Sequence, residues 1–271
     1  MTQPALSLQL YTLKDAYAED ADATLAKVAE MGLTNVEAFA FVNNGDQLAE
    51  LFAKHGLVAR TGHAPLASDE LKFGDRVMPV PSLDEVFSSA KKIGLEYVID
   101  PFVPVDRWLD KEAVDATAKK LNEVAKVAAE HGLKVGYHNH SQEFVADIDG
   151  VSAFEYFANQ LDDEVLLEVD LFWAAIGTDD VVGLIKRLGS RVKALHVKDG
   201  KITANPFAPG AEWNPGAVVQ YSAGQGEIPL LECLEACPSA EYAVIEFDNY
   251  DGDMFEGVKG SVDFFNAHGI K

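Results

Sequence analysis

Four apolar runs in this 271-residue sequence each finish in a histidine or an acid. Lys134 to His140 ends Tyr-His-Asn-His, and the run Val165-Leu-Leu-Glu-Val-Asp-Leu-Phe-Trp173 carries two carboxylates near its end. Val192 to Val197 closes on Leu-His-Val before Lys198 and Asp199, and Tyr242 to Phe247 closes on Val-Ile-Glu-Phe before Asp248. Short, nearly continuous apolar runs read as strands buried on both faces, where a carboxylate is costly unless something positive meets it. Residues two apart on a strand share a face. The pairs His138/His140, Glu168/Asp170, His196/Lys198 and Glu246/Asp248 therefore each place one member deeper and one nearer the rim. Glu37 and His63 end the second and third strands in the same manner.

Taken singly, a strand-end histidine is more often a hydrogen-bonded structural residue than a ligand, and an acid such as Asp199 or Asp248 usually caps the next helix. Several coinciding on four strands would bury repelling charge without a cation. Asp170, His196 and Glu246 are therefore expected to hold a divalent metal ion, Mn2+ first and Mg2+, Co2+ or Zn2+ as alternatives. An ion with open positions chelates a carbonyl and its neighbouring hydroxyl, and stabilises an enediolate as the proton beside the carbonyl leaves. His140 or His138 would move that proton, since an imidazole titrates near neutrality. Lys198 would stabilise oxyanion charge. Tyr11, Trp173 and Trp213 are candidates to stack on a face of the substrate, with Glu37 and His63 beside them in substrate binding.

The elements that must position these residues alternate along the whole chain. Strands are expected at Ala5 to Tyr11, Asn35 to Phe41, Leu57 to His63, Tyr97 to Pro101, Lys134 to His140, Val165 to Asp170, Val192 to Val197 and Tyr242 to Phe247. Helices are expected at Asp20 to Met31, Gly45 to His55, Pro81 to Ile93, Lys111 to His131, Gly150 to Gln160, Asp179 to Leu188, Ile228 to Ala236 and Met254 to His268. Several stop at a glycine, as helices do. Eight such units over residues 1–271 fit one closed (β/α)8 TIM barrel, a single domain of the α/β class. Ala64 to Val80 and Asp199 to Glu227 are too long for ordinary connections and are expected over the C-terminal mouth. Within the second, Ala223-Gly-Gln-Gly-Glu227 lacks the preceding strand of a phosphate cradle and reads as a hinge or helix start.

Composition sets the partners. With 44 acids against 22 bases the formal charge is −22, which repels nucleic acid and anionic membranes. Two cysteines, Cys233 and Cys237, lie four apart in a helical pattern and read as core-facing. No basic leader and no spanning apolar run is present, so the expected location is cytoplasmic. The expected partner is a small molecule, unphosphorylated because no arginine cluster is present, with homo-oligomerisation left open.

In combination, Ser7-Leu-Gln-Leu-Tyr-Thr-Leu, Asn-Val-Glu at 35 to 37, Tyr-His-Asn-His-Ser-Gln-Glu-Phe at 137 to 144, Leu-Glu-Val-Asp-Leu-Phe-Trp at 167 to 173, Leu-His-Val-Lys-Asp at 195 to 199 and Ile-Glu-Phe-Asp at 245 to 248 resemble the sugar phosphate isomerase/epimerase family, of the xylose-isomerase-like TIM-barrel superfamily. The resemblance implies a divalent ion held by Asp170, His196, Glu246 and an acid after the fifth strand. That acid is expected at Glu143, with His138 as the alternative. It also implies a metal-dependent sugar isomerase or epimerase in which a metal-bound glutamate such as Glu246 takes part in proton transfer. Where related branches carry histidines in place of the second glutamate, they resemble lyases and dehydratases acting on 3-keto sugars or keto-inositols, and this is the alternative reading. A DNA-repair endonuclease on the same barrel would need more histidine ligands and a basic face, and the acidic chain supplies neither.

Overall fold

The computed structural model describes residues 3–73, 76–211 and 218–271. Eight parallel strands close into a barrel: β1 (Ala5–Gln9), β2 (Asn35–Ala38), β3 (Val58–His63), β4 (Tyr97–Asp100), β5 (Lys134–His138), β6 (Leu166–Asp170), β7 (Val192–His196) and β8 (Tyr242–Ile245). Each pairs with its neighbours in sequence and β8 returns to β1, so the sheet has no free edge. The expected single TIM-barrel domain is what forms.

Helices pack outside because their sequences carry one apolar stripe. Leu83–Ile93 buries Val86, Phe87 and Ala90. Its first turn is fixed by a reciprocal cap in which Ser82 accepts from the Glu85 amide and Glu85 accepts from the Ser82 amide. Its end is fixed by Gly94 at φ 83°, a conformation open to glycine at little cost. The longest helix, Lys111–Glu130, turns Val114, Leu121 and Val124 inward in the same way.

Three differences from the expected elements have local causes. The run after Asp170 is not strand: Leu171–Gly177 is an α-helix whose first turn is capped by the Asp170 side chain accepting from the Trp173 amide at 2.9 Å. The six residues Lys14–Glu19 form a helix that too few apolar positions announce. Several helices begin later than expected, as at Ala153 and Leu230, because Ser152 and Pro229 stand at their N-caps.

The two long segments each contain an antiparallel ribbon, Glu70–Phe73 with Arg76–Pro79 and Asp199–Gly200 with Gln220–Tyr221. The glycine-rich stretch at 223–227 is tied down rather than open. Asp199 accepts from the amides of Gly200, Gly224, Gly226 and Ile228 at 2.8 to 3.2 Å, which leaves those donors no role as a phosphate cradle. Among the described residues, no helix is long and apolar enough to cross a membrane.

Candidate metal centre

The C-terminal ends of the strands meet inside the barrel in two layers. The deeper layer holds Glu37 from β2, His63 from β3 and Glu168 from β6, and the upper holds Asp170, Glu246, Lys198 and Asp248. His138 and His196 stand between them. His138 Nδ1 lies 3.2 Å from Glu168 Oε2, and its Nε2 lies 3.8 Å from Asp170 Oδ2. His196 Nε2 lies 2.8 Å from Glu37 Oε1, and its Nδ1 lies 2.6 Å from Glu246 Oε2.

Register explains the meeting. Gln9 pairs with Glu37, His138 with Glu168 and Asp170 with His196, so these side chains leave neighbouring strands at matched heights. A register irregularity sits immediately before Glu37 and another immediately before Glu168. Such bulges re-aim the residues that follow them. Asn139 clamps the ends of β5 and β6, accepting from the Asp170 amide at 3.1 Å and donating to the Asp170 carbonyl at 3.4 Å.

Burial sets the charge states. Burial works against a charge on His63 and His196, yet neighbouring carboxylates outweigh it: Glu37 and Glu168 hold His63 up to about 10, and Glu168, Glu246 and Glu37 hold His196 well above its usual value. His138 has no such surplus of acid, and burial with the neighbouring His196, His63 and His140 keeps it well below. Burial, aided by Lys198, lowers His140 to about 4. Burial raises Asp170 to about 6, whereas Lys198 and His196 overcome the same effect at Glu246 and hold it well below the carboxylate range. Lys198 is not a solvated rim residue. Its side chain is 1% exposed, and its ammonium lies 3.0, 2.8 and 3.0 Å from Asp170, Glu246 and Asp248. Against desolvation, those acids keep its pKa well above normal, so it is a fixed cation.

The donor set fits a divalent ion. One ligand atom each from His138, Asp170, His196 and Glu246 lies within 4.8 Å of the others, all four residues buried. Asp170 Oδ2 is buried with no hydrogen-bond partner, although Lys198 is near it. Three carboxylates gather round the Lys198 ammonium, with His196 the other cation against Glu246. A second group of four, His63, His138, Glu168 and His196, satisfies the same distance criterion one layer down.

Asp170, His196 and Glu246 are thus brought together as expected. Glu143, the expected fourth ligand, is not in either group, whereas His138, the alternative, is in both. Its Oε1 accepts from the Tyr137 hydroxyl at 2.6 Å and its Oε2 from the His140 amide at 3.0 Å, so both oxygens are engaged in the loop after β5. The nearby imidazole is His138. His140 lies against the rings of Phe102, His138 and Trp173, and its Nδ1 is buried without a partner. Trp173 is buried and its indole N–H is likewise unpaired. Tyr11 packs edge-on against Phe39, and burial with Asp248 and Glu246 raises its hydroxyl pKa. Glu37 and His63, expected beside a substrate, are paired with each other, and the Gln9 amide donates to Glu37 at 2.7 Å. Trp213 falls outside the described residues. Gln9 and Asn139 were not singled out from sequence, although both lie in stretches that carry the family resemblance.

The barrel and its ringed mouth define a class, and a family model for xylose isomerase-like TIM barrels matches residues 25–251. The chain belongs to that family. Among solved structures, a sugar phosphate isomerase/epimerase from Parabacteroides distasonis ATCC 8503 superposes with a TM-score of 0.75 at 20% identity, covering 98% of this chain and 95% of that one. The probable 3-DHS dehydratase AsbF from Bacillus anthracis superposes at 0.70 with 11% identity, covering 97% and 98%. The IOLI protein, solved with a zinc atom bound, superposes at 0.68 with 16% identity, covering 97% of each chain. A search of curated proteins returned no match.

Proposed function

We propose that the protein is a divalent-metal-dependent sugar isomerase or epimerase that abstracts a proton next to a carbonyl. One observation carries this: His138, Asp170, His196 and Glu246 converge at the barrel mouth with the partner-free His140 imidazole close by. These four residues would hold the ion, and Mn2+ is the expected metal. When bound, it would polarise the carbonyl and offset the negative charge that develops as the proton leaves, an effect worth several kcal/mol.

The chain's own residues supply the rest. His140 is the base, because its Nδ1 has no hydrogen bond to surrender while His138 has a carboxylate on either side. Lys198 holds a fixed positive charge against developing oxyanion charge, and its three carboxylate partners keep it from leaving as a proton donor. Trp173, beside His140, offers a flat wall and an N–H donor to a sugar. Asp199 fixes the segment at 224–228 by accepting from the amides of Gly224 and Ile228. The substrate is expected to be a small, unphosphorylated sugar.

Elimination from a 3-keto sugar or keto-inositol is the second reading. It is favoured because β5 delivers His138 and His140 where a two-carboxylate proton relay would need an acid, and because AsbF, a fold neighbour, is a probable dehydratase. Both readings share the first step, so solvent deuterium uptake at the carbon beside the carbonyl is expected in either case. Product analysis separates them: a stereoisomer or isomeric sugar supports the first, and loss of water or an alcohol supports the second. For the metal, His196→Ala is expected to abolish metal retention through gel filtration while circular dichroism stays that of a folded barrel. Full metal occupancy in that variant would overturn the ligand assignment.

A further inference from the structure

Glu168 is fully buried, and its Oε2 faces three imidazoles at once: His63 Nε2 at 2.6 Å, His196 Nε2 at 3.0 Å and His138 Nδ1 at 3.2 Å. Two of these, His138 and His196, turn their other nitrogen toward the upper acids, Asp170 and Glu246. A neutral imidazole carries one N–H and one lone pair, and an ionised carboxylate only accepts. With an ion in the mouth replacing the upper proton of His196, which carboxylates on both sides hold as a cation without metal, the nitrogen facing Glu168 keeps its proton in both rings and the opposite nitrogen presents its lone pair to the mouth. One oxygen thereby sets the tautomer of two imidazoles from two strands, β5 and β7, that are not neighbours. Glu37 reinforces the setting at His196, 2.8 Å away, and His63 sits between Glu37 and Glu168 as their shared counter-cation.

Resting on the metal-centre reading above, we infer that Glu168 is a positioning residue for the metal: it fixes His138 and His196 with their lone pairs aimed at the upper layer. The same geometry decides between the two groups of four. An ion in the deeper group would need the lone pairs of His138 Nδ1 and His196 Nε2, the nitrogens turned toward Glu168. Each imidazole serves one layer only, so the protein binds one ion, in the upper layer, and Glu168 is not among its ligands. Carboxylates that hold the far nitrogen of a ligating histidine are a general device, and removing one ordinarily weakens metal binding about 10–100-fold. The irregularity before Glu168 is the backbone feature that brings this side chain under both rings.

Titration of the purified, metal-stripped full-length chain with Co2+, followed by calorimetry and by the visible absorption of the bound ion, tests this. Wild type is expected to bind one Co2+ per chain. Glu168→Gln keeps the shape but puts an amide donor where an acceptor stood. It is expected to bind one Co2+ still, about 10–100-fold more weakly and with altered visible bands. Glu168→Asp keeps the charge on a shorter arm and is expected to fall between the two, which also covers the case in which the glutamine variant does not fold. Unchanged affinity and spectrum in both variants would overturn the positioning role. Two ions in wild type, or a total loss of binding in folded Glu168→Asp, would make Glu168 a ligand and overturn it as well. No binding by wild type would remove the metal centre itself.

Discussion

The two ends of the barrel interior are filled by opposite means. Toward the N-terminal end, Tyr97, Ile99 and Leu166 form a small apolar cluster of their own, with Tyr242 packed against it. These residues come from β4, β6 and β8, which are not adjacent, so they meet across the inside of the barrel. Two and four residues further along, three strands of the barrel change character: Leu166 is followed by Glu168 and Asp170, Gly136 by His138 and His140, and Val244 by Glu246 and Asp248. The apolar end gains from area removed from water, about 1.5–3 kcal/mol for each large side chain fully buried. The polar end gains little net stability from its pairs, because desolvation offsets most of the attraction. The lesson is a division of labour along each strand, in which one half holds the barrel shut while the other keeps opposed charges ready for a ligand.

The largest effect that would break this comparison is expected from Lys198→Met. Three carboxylates would lose the ammonium that lies within 3.0 Å of each. Removing one partner from a buried ion pair costs on the order of 3–5 kcal/mol, and a loss in that range is expected in denaturant unfolding of the metal-stripped chain at neutral pH. A loss no larger than a surface pair's would show that the mouth is wetter than its geometry implies. Gly136→Ala comes next and tests the apolar end. A Cβ there would lie 2.5 Å from Leu166 Cδ1 and 3.1 Å from the Leu166 carbonyl oxygen. Overpacking of that kind typically costs about 1–3 kcal/mol. The expected result is a lower melting temperature with Co2+ stoichiometry unchanged, and a variant that loses the ion without losing stability would show that the two ends are not separate.

The same division explains what could be read from sequence. Eight alternating units were legible because each strand is a short apolar run and each helix has an apolar stripe closed by a glycine or a cap. Asp170, His196 and Glu246 were legible because a histidine or acid at the end of a buried run stands out against its neighbours. Leu171, Phe172 and Trp173 read as more strand because an all-apolar run has no period to betray a helix; the signal was Asp170, which caps that helix as well as standing in the candidate metal centre. Glu37 and Glu168 were visible as acids, but strand alternation alone does not fix their height, because an irregularity precedes each of them. The place of Glu143 was hard to read for a related reason. It lies in a short 3-10 turn, Gln142–Phe144, where spacing from the strand end says nothing of direction.

Glu143→Gln carries the smallest expected effect and sharpens the boundary of the site. Burial raises the Glu143 carboxyl to about 7, although the Tyr137 hydroxyl and the His140 amide pull against it. In an unfolded chain the same group titrates near 4.3. Between those values the folded protein holds a proton that the unfolded chain does not, so stability from this group falls as pH rises. The contribution is fully present below the unfolded pKa and is lost as pH passes about 7. Glutamine stays neutral throughout. Relative to wild type, the variant is therefore expected to gain in melting temperature from pH 5 to pH 8, measured at matched ionic strength without metal. Repeating the series with saturating Mn2+ distinguishes the two candidates for the fourth ligand. A metal-bound Glu143 would stay ionised and its slope would vanish, whereas His138 as the ligand leaves the slope of Glu143 in place.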